Sequence, residues 1–210
     1  MNSKIELVIK LLKNEYPQTA CSLNYNSPLE LLICTRLSAH CTDARVNLVS
    51  PTLFSAFKNA EDFAKADPLE VEKYVKSCGL YKVKSKNIVD MCKKINSCFN
   101  GKIPNNQKDL ESLPGIGRKS ANLILGEIYR KPGIIVDTHF IRVTNRLGFH
   151  DSKNPIKIEK IMKKIVPEKE SLDFCHRTVI HGRTICKARK PLCKACVLNS
   201  LCNYYKKTEN

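Results

Sequence analysis

Helix signals follow one another along the whole 210-residue chain, and no segment alternates apolar and polar residues with the period of two that a half-buried strand needs. That continuity is the strongest constraint on the fold. Ile5, Val8, Ile9 and Leu12 form one stripe of an N-terminal helix, and the interspersed Lys4, Glu6, Lys10 and Lys13 argue against a secretory leader. Ser27-Pro28-Leu29-Glu30 combines a capping box with proline at the first helical position, opening a helix to about Ala39. Asp43 can cap the next helix, which Pro51 should kink or end. Asp67-Pro68 starts another, with Gly79 as its left-handed cap. Further helices are expected over 85–99, 106–112 and 118–129, from Asp137 toward Leu147, and over 156–166 and 172–185. "GIIV" at 133–136 is too short to carry a sheet. The expected class is all-α.

The charge is lopsided: 36 lysines and arginines against 20 acidic residues, a formal +16. Such an excess favours a polyanionic partner, nucleic acid first, over a merely lysine-rich soluble protein. No apolar run approaches membrane-spanning length, so no membrane partner is expected. Eleven cysteines, an odd number without an export signal, argue against a disulfide framework. Seven of them, Cys21, Cys34, Cys41, Cys78, Cys92, Cys98 and Cys175, are scattered through helical patterns and read as small buried hydrophobes. The other four, Cys186, Cys193, Cys196 and Cys202, form C-x6-C-x2-C-x5-C. Four soft thiolates so close together imply a metal site. A zinc ribbon normally supplies two C-x2-C knuckles and only one is present, so spacing favours an iron–sulfur cluster while leaving zinc open. The segment between the first two cysteines carries Lys187, Arg189 and Lys190, suited either to DNA phosphates or to compensating an anionic cluster.

One helical pattern is broken in its middle. In "ESLPGIGRKSANLIL" (111–125), Pro114, Gly115 and Gly117 interrupt an apolar face that Leu123, Ile124 and Leu125 resume. Helix, Gly-x-Gly turn, helix is a helix–hairpin–helix. Its backbone amides along Leu113, Gly115, Ile116 and Gly117, with Arg118 at the following helix start, can receive a phosphate oxygen without reading bases. An ordinary αα-hairpin is the plainer alternative, and the basic charge moves DNA ahead of it. Lys119 sits in the first turn of that second helix, where the helix dipole and Arg118 both favour the neutral, nucleophilic amine. A solvated, phosphate-gripping lysine is the competing reading from chemistry alone.

"LPGIGRKSAN" (113–122), with "VDTH" (136–139), "SPLELLICTRLSAHCTD" (27–43), "GLYKVKSKNI" (79–88) and the terminal cysteine spacing, closely resembles the endonuclease III family of helix–hairpin–helix DNA glycosylases. The resemblance covers essentially the whole chain. It implies a two-lobed fold, with a central helical lobe over 22–131 and a cluster lobe built from 1–21 and 132–210, the active-site cleft lying between them. It makes Lys119 the nucleophile and Asp137 its catalytic partner, and it places a 4Fe-4S cluster on the four terminal cysteines. A catalytic lysine together with the cluster motif points to oxidised pyrimidines such as thymine glycol, in double-stranded DNA that contains oxidised bases or abasic sites. A cytoplasmic, monomeric enzyme of base excision repair is expected. Bacterial members usually fill the hole left by a flipped base with a glutamine and a leucine; Leu80 is present, but His40 stands at the glutamine position. Imidazole could stack there, or the change could be inconsequential. The rival functions are a non-catalytic iron–sulfur protein that senses damage and a zinc-bearing transcription factor.

Overall fold

The computed structural model describes residues 3–208, and its α and 3-10 helices are the only regular elements among them. The chain divides into two compact units, Cys21–Arg130 and Met1–Ala20 with Lys131–Asn210.

The unit Cys21–Arg130 holds α2 (Pro28–Leu37), α3 (Asp43–Ala56), α4 (Ala60–Lys65), α5 (Pro68–Val75), α6 (Tyr81–Phe99), α7 (Gln107–Glu111) and α8 (Arg118–Tyr129). The consecutive apolar run of α2 is explained by its position: the helix packs on α3, α6 and α8, and Leu31, Leu32, Ile33 and Cys34 are all buried. Its start follows the sequence signal, with the Glu30 amide donating to Ser27 Oγ at 3.2 Å. Glu30 reaches back one residue further than a capping box requires, accepting from the Asn26 amide at 2.7 Å. Phe63 anchors the far side of the core, stacked on Phe57 with ring centroids 4.8 Å apart.

Four local expectations are corrected. The cap of α3 is Thr42, whose Oγ1 accepts from the Arg45 amide at 3.3 Å, while Asp43 accepts from the Ser22 hydroxyl at 2.6 Å. Pro51 lies inside α3 without ending it. Its ring is exposed, and the burial of Val46, Ser50 and Leu53 in the same helix outweighs one forfeited backbone hydrogen bond. Gly79 has φ 65° but an extended ψ of 151°; the left-handed residue is Leu80, and α6 starts at Tyr81 rather than Ser85. Helix α4 has only six residues, too few to show an apolar period, and was not expected.

The second unit holds α1 (Ser3–Glu15), α9 (Thr138–Leu147), α10 (Pro155–Ile165), α11 (Ser171–Thr184) and α12 (Asn203–Thr208). The stripe of Ile5, Val8, Ile9 and Leu12 is buried, and α1 packs on α11, which packs in turn on α9. Phe140 of α9 meets Phe174 of α11 edge to face, centroids 5.8 Å apart. Among the described residues no helix is long and apolar enough to cross a membrane.

Candidate functional site

The broken helix is α7, a turn over 112–117, and α8. Leu113 and Ile116 sink into the core of their unit, so these two expected DNA contacts can offer backbone groups only. Between them Gly115 takes φ 79°, and a Cβ there would collide with the Arg36 side chain. Arg36 is itself fixed, donating to Asn87 Oδ1 from Nε at 3.0 Å and from Nη2 at 2.7 Å. Gly117 is different: its φ of −105° suits any residue, and a Cβ would meet nothing within 4 Å. Bareness is what glycine contributes at that position. It is the N-cap of α8 and no side chain caps the helix, so the positive end of α8 is left for an external acceptor. Arg118 is half-buried with Nη1 3.9 Å from Glu111, and Lys119 is exposed on the first turn of α8. Lys119 acts electrostatically on the nearby Cys21 thiol, which burial pushes up to about 11.

His40 and Leu80 lie in the same unit. Both are exposed and both hold left-handed backbone, φ 53° and 47°. Their loops touch, since a Cβ on Gly79 would stand 3.9 Å from the His40 carbonyl oxygen.

In the other unit, Asp137 caps α9, its Oδ1 accepting from the Phe140 amide at 2.7 Å. It remains partly exposed, so the cap leaves carboxylate surface for chemistry. His139 sits 3.2 Å through Nδ1 from Arg142 Nη2, and burial lowers its pKa below the ordinary 6.5. A neutral ring accepting from a guanidinium is a structural histidine.

The terminal cysteines come together. Cys186, Cys193, Cys196 and Cys202 line one small cavity with Arg146, Ile185, Pro191, Tyr204 and Tyr205 among its walls. No three His, Cys, Asp or Glu side chains among the described residues are grouped to hold a single metal ion. Four sulfurs arranged around one cavity suit a metal centre held by thiolates. Hydrogen bonds already point at the sulfurs: the Leu198 amide donates to Cys196 Sγ at 3.4 Å and Arg146 Nη1 to Cys186 Sγ at 3.3 Å. Such donors stabilise thiolate charge. Burial pushes the Cys196 thiol up to about 11.

Lys187, Arg189 and Lys190 are exposed on the loop after Cys186. Arg146 braces this loop by donating to the Lys187 carbonyl at 2.8 Å and the Ala188 carbonyl at 3.1 Å, with its guanidinium 4.4 Å from the Tyr204 ring centre. Arg142 donates to the Cys186 carbonyl at 2.9 Å. Sequence reasoning overlooked both arginines. The available signal was their i,i+4 spacing on the helix that Asp137 opens.

The HhH-GPD superfamily pattern, described as a base excision DNA repair protein, matches residues 33–168. Endonuclease III of Synechocystis is 41% identical over 196 residues, covering 93% of this chain and 90% of the relative. A non-covalent endonuclease III–DNA complex superposes with TM-score 0.94 at 37% identity, over 100% of this chain and 98% of that one. A trapped covalent endonuclease III–DNA intermediate matches with TM-score 0.94 at 36% identity, over 100% and 99% of the two chains. With a helix–hairpin–helix ahead of Lys119, a capping aspartate at 137 and four cysteines around one cavity, the chain belongs to the endonuclease III family of the HhH-GPD superfamily.

Proposed function

We propose that the protein is a bifunctional DNA glycosylase and AP lyase that removes oxidised pyrimidines from duplex DNA, with Lys119 as nucleophile and Asp137 as its partner carboxylate. The observation that carries this reading is the exposed Lys119 on the first turn of α8, directly after a bare, uncapped glycine turn. Relatives solved with DNA, once as a covalent intermediate, support both the substrate and a bond to it.

The hairpin amides and the positive end of α8 would receive a backbone phosphate, and Lys187, Arg189 and Lys190 others. The target nucleotide must leave the stack for its C1′ to be reached. Leu80 and His40 would fill the hole, Leu80 by its exposed apolar side chain and His40 by its imidazole. Asp137 takes a proton from the Lys119 ammonium and stabilises positive charge on the sugar. Lys119 Nζ attacks C1′, the glycosidic bond breaks, and the base leaves with a proton. The sugar opens to a Schiff base on Lys119, which acidifies C2′. Loss of a C2′ proton expels the 3′ phosphate, and water then releases the enzyme. Arginine could replace a phosphate-binding lysine but not this one.

The four cysteines would hold a 4Fe-4S cluster. When bound it supplies a rigid cross-link among the segments around Cys186, Cys193, Cys196 and Cys202, and glycosylic bond cleavage by an amine asks no electron of it.

The test is a panel of duplexes carrying thymine glycol, 8-oxoguanine or mispaired adenine. Release of thymine glycol with strand cleavage 3′ to the site, leaving an unsaturated sugar end, is expected. Base release without strand cleavage would overturn the lyase assignment.

A further inference from the structure

Two thiols outside the terminal cluster flank the contact between the loops assigned above to gap filling. Cys41 directly follows His40, and Cys78 directly precedes Gly79 and Leu80. Both thiols are unbridged and act electrostatically on each other, Cys41 half-buried and Cys78 1% exposed, and their chain neighbours adjoin, a Cβ on Gly79 standing 3.9 Å from the His40 carbonyl oxygen. A buried cation builds the approach. Lys84 of α6 is inaccessible to solvent and donates from Nζ to the Leu37 carbonyl at 2.8 Å and the Cys78 carbonyl at 2.6 Å. The end of α2 and the residues before Leu80 are thereby clamped to one ammonium. Cys92 is a buried apolar filler, whereas Cys98, expected to be buried as well, is exposed, and the Cys175 sulfur accepts from the Ile135 amide at 3.2 Å. Cys41 differs, having both a thiol neighbour and access to solvent.

We propose that Cys41 and Cys78 form an oxidative modification site, closing to a disulfide that ties the His40 loop to the Leu80 loop and weakens engagement of DNA. The consequence for DNA rests on the functional reading above; the bond itself does not. A hydroperoxide is the oxidant. The accessible Cys41 sulfur attacks one peroxide oxygen, the S–O bond forms, the O–O bond breaks, and the thiol proton leaves with the departing oxygen as water or alcohol. The Cys78 sulfur then attacks the Cys41 sulfenic sulfur, forming S–S and breaking S–O, and the Cys78 proton leaves with the hydroxyl as water. Two thiols lose two electrons in total, and one peroxide gains them. Positive charge on Lys84 and Arg45 favours the Cys78 thiolate against the burial that pushes this thiol up to about 11. His40 and Leu80 both hold backbone that side chains other than glycine rarely adopt, so tethering their neighbours redirects them readily.

The full-length, cluster-loaded protein is treated with hydrogen peroxide while visible absorbance verifies that the cluster persists. Trypsin places the two thiols in separate peptides, 37–45 and 77–82, neither containing another cysteine. The expected product is this peptide pair joined, lighter by two hydrogens, and parted by dithiothreitol. Affinity for a duplex carrying a non-cleavable abasic analogue should fall in parallel, on the order of tenfold, as when a well-placed interface side chain is withdrawn. Cys41→Ser and Cys78→Ala, which bind like reduced wild type, should be insensitive to peroxide. Binding by the reduced protein exposes any failure of the DNA reading, whereas the joined peptide reports the modification alone. Absence of that peptide while other thiols oxidise, or its presence with unchanged affinity, would overturn the proposal.

Discussion

The hairpin before Lys119 is held from within its unit: Leu113 and Ile116 are buried in the core, and Arg36 closes over Gly115. The cysteine segment over 186–202 has almost no such interior. Only Leu198 and Cys202 are buried there, and the chain is braced from outside by Arg142 and Arg146. The first region should hold its shape whether or not anything binds. The second depends on what occupies the space between its four thiols.

Removing the proposed cluster is the harshest way to test that contrast. Metal-dependent folding in small cysteine sites is worth on the order of 10 kcal/mol. Chelation after oxidation should therefore erase hydrogen-exchange protection over 186–202 while α2 and α8 keep theirs. Equal loss in both regions would break the comparison. Within the hairpin, Gly115→Ala combines a positive φ with a collision against Arg36 and should cost about 2–4 kcal/mol in urea unfolding. Gly117→Ala meets neither obstacle, and should leave stability within about 0.5 kcal/mol while weakening DNA binding by covering the helix end. Arg146→Lys cannot span the carbonyls of Lys187 and Ala188 together. These carbonyls are exposed and water replaces part of the loss, leaving about 1–2 kcal/mol, read as a lower Tm with slower recovery of cluster absorbance after reconstitution.

The smallest effect is a pH dependence. His150 lies 2.9 Å through Nε2 from the Thr144 hydroxyl, and burial lowers its pKa below 6.5. The unfolded chain then binds that proton more readily than the folded one. Stability is full above pH 6.5 and declines as pH falls toward the folded value. His150→Gln should make that decline shallower in thermal melts between pH 7 and 5; an unchanged slope would remove His150 from the account.

Much of this was legible in the sequence because short-range chemistry carries it. Ser27, Asp67, Asn106 and Asp137 each cap the helix their identity announces. The glycine turn and the cysteine spacing are likewise local patterns. What failed was decided by packing. Pro51 is tolerated because α3 has other residues to bury, and Gly79 yields its left-handed role to Leu80 beside the loop of His40. Arg36, Lys84 and Arg146 act on residues far along the chain, and only Arg146 had a local mark, its i,i+4 spacing from Arg142. Lys84 is the sharpest case, a charge fully buried because two carbonyls receive it.

Borohydride trapping on a duplex containing thymine glycol tests the central claim most directly, comparing wild type with Lys119→Ala and Lys119→Arg. The account predicts a covalent protein–DNA adduct from wild type and none from either variant, with folding and DNA binding retained. An adduct formed by Lys119→Ala, or strand cleavage by wild type with nothing trapped, would contradict Lys119 as the nucleophile.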